Sequence, residues 1–100
     1  MTGGLPEDEL RREMGCTRDE FLRWLPGASR HAPVMANGDV YRILSEHGPV
    51  EIRIAEMPPR RIGSIALPVL DVRFRFTGID ASARKAFLDY FDQYTRRGGG

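Results

Sequence analysis

Apolar and polar positions alternate most cleanly in DVRFRF, where Val72, Phe74 and Phe76 fall on one side and Asp71, Arg73 and Arg75 on the other. A period of two is that of a strand with one buried face and one wet face. PVEIRIAE repeats the pattern, with Val50, Ile52 and Ile54 alternating with Glu51 and Arg53. VYRILSE ahead of it predicts a partner strand, joined through a tight turn at His47-Gly48. MPPRR interrupts, because Pro58 and Pro59 lack the N–H that a ladder requires. Ile65 and Leu67 are assigned to a preceding strand, with Pro68 at a bulge, a sheet edge or a connection.

Towards both ends the spacing changes to that of a helix. LPEDELRREMG places Pro6 at a first helical position, Glu7, Asp8 and Glu9 in the first turn, Leu10 and Met14 four apart, and Gly15 at a stop. This predicts a short N-terminal helix, and residues 1–14 are expected to be dispensable for folding. In GCTRDEFLRWLPG, Thr17 is an N-cap, Glu20 closes a capping box, and Cys16 can meet Phe21 as a hydrophobic staple. A helix therefore starts at Arg18, buries Phe21, Leu22, Trp24 and Leu25, and stops at Pro26-Gly27; ASRHAPVMANGD reads as a loop.

A C-terminal helix is capped by Asp80, carries the stripe Ala83, Phe87, Leu88, Phe91 and Tyr94, and ends with Arg96, Arg97 and Gly98. The predicted fold is α+β: a three- to four-stranded antiparallel sheet with N-terminal helices and a C-terminal helix, one sheet face covered and the other open. One domain spans 1–97, with 1–4 and 98–100 as flexible tails.

Composition narrows the function classes. The 100 residues carry 15 basic against 14 acidic side chains, a net charge of +1, so no long-range field draws the whole molecule to nucleic acid or membrane. Residues 66–100 alone are basic, with six cations against four acids. Arginine supplies fourteen of the fifteen cations, as bacterial-like, GC-rich coding would, and arginine favours bidentate contacts to carboxylate or phosphate. No run approaches the roughly 18 apolar residues of a membrane span, and no leader is visible at the N-terminus. A lone cysteine fits a reducing compartment, so the expected location is cytoplasmic.

Cys16 precedes a helix N-terminus, where thiols can become reactive, yet its staple position already accounts for it. His31, His47 and Cys16 are too few and too scattered for zinc, so neither metal nor cofactor is expected. LRREMGCTRDEFLRWL resembles the helix-turn-helix family, with Gly15 in the turn and Leu10, Cys16, Phe21 and Trp24 at its apolar positions. The resemblance implies a DNA-binding unit over residues 7–25. It departs from the pattern at Arg11, where a small residue is usual, and at Asp19 and Glu20, which would face phosphate.

The remaining constellation is the wet sheet face, where Arg53, Arg73 and Arg75, with Arg60 and Arg61 beside them, could clamp an anionic group. Glu51, Glu56 and Asp71 could equally pair with them across strands. Without an acid–base pair, a nucleophile arrangement or a metal set, no enzyme class is indicated. The expected function is that of a small, non-enzymatic binding or accessory protein contacting a protein or anionic ligand through the Arg-bearing face. Aromatic surface on the last helix, at Tyr90 and Tyr94, would also allow a homodimer. The second reading is nucleic-acid binding through residues 7–25.

Overall fold

A computed structural model describes residues 8–96. The expected tails at 1–4 and 98–100, and the stop at Arg97 and Gly98, lie outside them. The elements run β1 (Glu9–Met14), α1 (Arg18–Ala28), β2 (Val34–Asn37), β3 (Val40–Ser45), β4 (Gly48–Ile62), β5 (Ile65–Phe76) and α2 (Ala81–Arg96). The strands form one antiparallel sheet in the order β1-β5-β4-β3-β2, so the chain's first strand lies beside its last. The α+β class holds, with five strands among the described residues instead of three or four, and one N-terminal helix instead of two.

The predicted first helix is strand β1. Leu10, Arg12 and Met14 point to the helix side and are half-buried, opposite Phe74, Val72 and Leu70, while Arg11 and Glu13 are exposed. Leu10 and Met14 are four apart, a spacing that a helix face and every second strand position share. The inward place between them is taken by Arg12, whose polarity hid the alternation. Its guanidinium lies 5.3 Å from the Phe74 ring centroid and bonds Asp92 of α2, so its stem is buried and its head paired. With β1 in this place, the described residues 8–25 contain no two-helix unit, and the helix-turn-helix resemblance over residues 7–25 has no structural counterpart among them.

α1 begins as expected. Thr17 Oγ1 accepts the Glu20 N–H at 3.1 Å and the Glu20 carboxylate accepts the Thr17 N–H at 2.8 Å, the reciprocal capping box. Cys16 and Phe21 are both buried in the core. The helix does not stop at Pro26-Gly27 but runs through them to Ala28. Proline removes a single ladder bond there, and the helix ends one turn later at Ser29, whose N–H bonds the Leu25 carbonyl. Gly27 is a packing residue: a Cβ on it would overlap the phenol of Tyr94, so glycine lets α2 close onto α1.

The segment read as a loop before β3 contains the edge strand β2. All four of its residues are exposed, so neither face is buried and no alternation marks it. β3 and β4 pair as predicted, although the turn is Glu46-His47 and β4 starts at Gly48. β4 also passes through MPPRR. Pro58 and Pro59 occupy a register shift between Met57 and Arg60, where the ladder asks nothing of them, and pairing resumes at Arg60 with Leu67. Ile65 and Leu67 belong to β5 itself.

β4 and β5 therefore outrun their neighbours. β1 pairs only with residues 70–75 and β3 only with residues 48–53. Beyond that, a two-stranded arm projects, closed by a Gly63-Ser64 turn with Gly63 at φ 60°. Both helices cover the other end of the sheet on one face. Phe74 meets Phe91 edge-on at 5.2 Å, Phe76 meets Phe87 at 6.0 Å, and Phe21 closes on Phe91 at 6.0 Å. Asp80 caps α2 through the Ala83 N–H at 2.8 Å, as its sequence predicts.

Candidate functional site

The helix-free face of the sheet is built from the odd-numbered residues of β1, β5 and the first part of β4. Strand pairing sets Arg11 opposite Arg73 and Arg73 opposite Arg53, so three guanidinium side chains form one row across three adjacent strands. The next row reads Glu9, Arg75, Glu51 and Arg42, and the row on the other side holds Glu13 and Asp71. Arg53, Arg73, Arg75, Glu9 and Glu51 surround a shallow concavity of about 160 Å³.

The acids do not neutralise this row evenly. Asp71 is buried and serves two arginines, with Arg11 Nε at 2.5 Å and Arg73 Nε at 3.6 Å. Glu51 turns to Arg42 at 3.4 Å, away from Arg53, and Glu9 is 3.9 Å from Arg75, at the outer limit of an ion pair. Arg53 makes no ion pair with another described residue, although Arg73 stands directly across from it. Like charges at directly opposed positions disfavour the sheet unless something anionic lies between them.

Of the five arginines expected here, Arg53, Arg73 and Arg75 come together. Arg60 shares the face by register but sits on the arm, where it pairs with Glu13 at 3.6 Å. Arg61 is paired with Ala66, which places it on the opposite face. Arg11 completes the row; the helical reading of ELRREM leaves it out of the face, and its alternation with Leu10 and Met14 is the signal in the sequence that places it there. Glu56 stands on the helix side of β4 opposite Leu70, so it is not an acid of this face.

On the same open face the arm carries Met57 opposite Val69, then Leu67, then Ile62 opposite Ile65. Met57, Leu67, Ile62 and Ile65 are 36%, 43%, 58% and 59% exposed. Apolar side chains thus continue where the arginine row ends.

The cysteine has the opposite character to a reactive thiol. Burial, followed by the nearby Glu20 carboxylate, pushes the Cys16 thiol up to about 11. Among the described residues no His, Cys, Asp and Glu side chains gather in threes as metal ligands would, and no helix is long and apolar enough to cross a membrane. No protein-family model matches the chain, and no curated protein matches its sequence.

Proposed function

We propose that this protein is a small, non-enzymatic binding protein whose open sheet face takes an acidic segment of a partner protein. The observation that carries this reading is the incompletely neutralised row Arg11–Arg73–Arg53, in which Arg11 and Arg73 share the single carboxylate of Asp71 and Arg53 makes no ion pair with a described residue. A carboxylate laid between Arg53 and Arg73 would relieve their repulsion and gain bidentate bonds. The adjoining Met57, Ile62, Ile65 and Leu67 favour a protein segment over a free anion, since arginine and methionine are enriched where proteins meet.

A fluorescent peptide alternating glutamate with leucine tests the proposal by anisotropy. Wild-type protein is expected to bind it, with affinity falling as salt rises. Arg53→Glu with Arg73→Glu is expected to reduce that affinity by roughly tenfold or more, each lost charge-assisted bond contributing about 1.5–3 kcal/mol. Circular dichroism should show the fold intact, because both side chains are exposed. Unchanged affinity in the double variant would remove the arginine row from the function.

A further inference from the structure

On the helix side of the sheet, remote from the arginine row, a cleft of about 310 Å³ opens between the end of α1, the β3–β4 turn and α2. We propose that this cleft binds a small monocarboxylate whose body is a single ring or a short alkyl chain. The inference is independent of the proposed function.

The cleft is open because the side chains around it are short. Ala28, Ala32 and Ala86 line it where larger apolar residues would have filled the space, and Phe87 and Tyr90 form an aromatic wall. Protein interiors are close-packed, so a concavity of this volume with an apolar lining is a place for a ligand body. Its size is at the lower end of the range for small-molecule sites, which limits the body to one ring or a few methylenes.

The anionic group is assigned by Arg30. Its guanidinium carbon lies 4.1 Å from the Tyr90 ring centroid at the rim, and it makes no ion pair with a described carboxylate. Stacking leaves the in-plane N–H donors of a guanidinium free for a carboxylate. A cationic ligand would find this aromatic face already occupied. Glu46, the one acid among the described residues lining the cleft, is largely exposed, so water screens its repulsion.

The backbone adds a separate argument. Arg30 has φ 58° and His31 φ 59°, in the left-handed region where glycine is usual after a helix. The cap needs only the backbone here: the Arg30 N–H bonds the Gly27 carbonyl at 3.1 Å and the His31 N–H bonds the Pro26 carbonyl at 2.7 Å. Glycine would make those bonds without strain. Retaining arginine puts a stacked cation at the rim, which the cap does not require.

The test is a titration followed by amide NMR, using hexanoate and 4-phenylbutyrate with hexanol and 4-phenylbutanol as neutral counterparts. Saturable shifts are expected in Ala28–Ala32, Leu44–His47 and Ala86–Tyr90, with each carboxylate at least about tenfold tighter than its alcohol. Ala86→Leu should abolish binding by filling the cleft. Arg30→Gly should erase the preference for carboxylate while leaving the melting temperature equal or higher, because it relieves the strained backbone. No saturable shift with either acid, or equal affinity for acid and alcohol in the wild type, would overturn the proposal. A preference that survives Arg30→Gly would overturn the role of Arg30.

Discussion

Cys16 shows how much one residue's neighbours decide. The capping box around it was legible because its requirements are local: a hydroxyl at Thr17, a carboxylate three residues on, and an apolar pair flanking them. The thiol's acidity was not, since it depends on burial in a core whose other members come from distant parts of the chain. With the folded thiol at about 11 against an ordinary 9.0, its protonated form is favoured by the fold. That stabilisation is complete below the unfolded value and is lost as pH rises from about 9 through 11. A thermal melt series over this range should show a decline that Cys16→Ala lacks, beyond a constant loss on the order of 1 kcal/mol at neutral pH from the vacated volume. Iodoacetamide at pH 7 should label folded Cys16 far more slowly than a free thiol. Rapid labelling would contradict its burial. Asp71 is the converse case: alternation placed it correctly on the open face, but only pairing with β1 reveals that Arg11 covers it.

Among the elements, β3, the first half of β4, the second half of β5 and α2 were legible because each buries one face and shows it as a period. β2 and the arm have no buried face, so their pairing is written only in the backbone. Proline ends neither of the two elements in which a stop is expected from it. In α1 it precedes a glycine selected for the closeness of Tyr94, and in β4 it fills a bulge. Gly27→Ala is therefore expected to destabilise the protein by about 1–2 kcal/mol, although alanine is the better helix former by up to about 1 kcal/mol. Adding Tyr94→Ala should recover part of that loss, a non-additivity measurable by urea denaturation. The arm should behave differently. Replacing residues 58–68 with Asn-Gly, which joins Met57 to Val69 through a two-residue turn, is expected to shift the melting temperature by only a few degrees. A collapse of cooperative unfolding would show that the arm supports the sheet.

At the scale of the whole molecule, the structure reverses the expectation that residues 1–14 are dispensable. β1 supplies an edge of the sheet, and Leu10 and Met14 pack against the core. A chain beginning at Gly15 would expose the outer edge of β5 and unroof Phe74, so it is expected to lose its sharp denaturant transition and gain dye-binding apolar surface. The candidate face is subject to the same dependence. Arg53, Arg73 and Arg75 could be grouped from strand patterns alone, but the third arginine of the row and the buried acid beneath it exist only once β1 is in place.

The placement of β1 beside β5 also has a consequence for synthesis. Arg11 and Asp71, bonded in the finished sheet, are 60 residues apart in the chain. At 5–20 residues per second, a ribosome would hold β1 without its partner for roughly 3–12 s. During that interval the nascent segment must stay dissolved and unpaired, and its sequence Glu-Leu-Arg-Arg-Glu-Met suits the wait: four charges in six residues discourage association with other extended chains. The arginine that concealed the strand's alternation thus serves the unfolded polypeptide before it serves the native one.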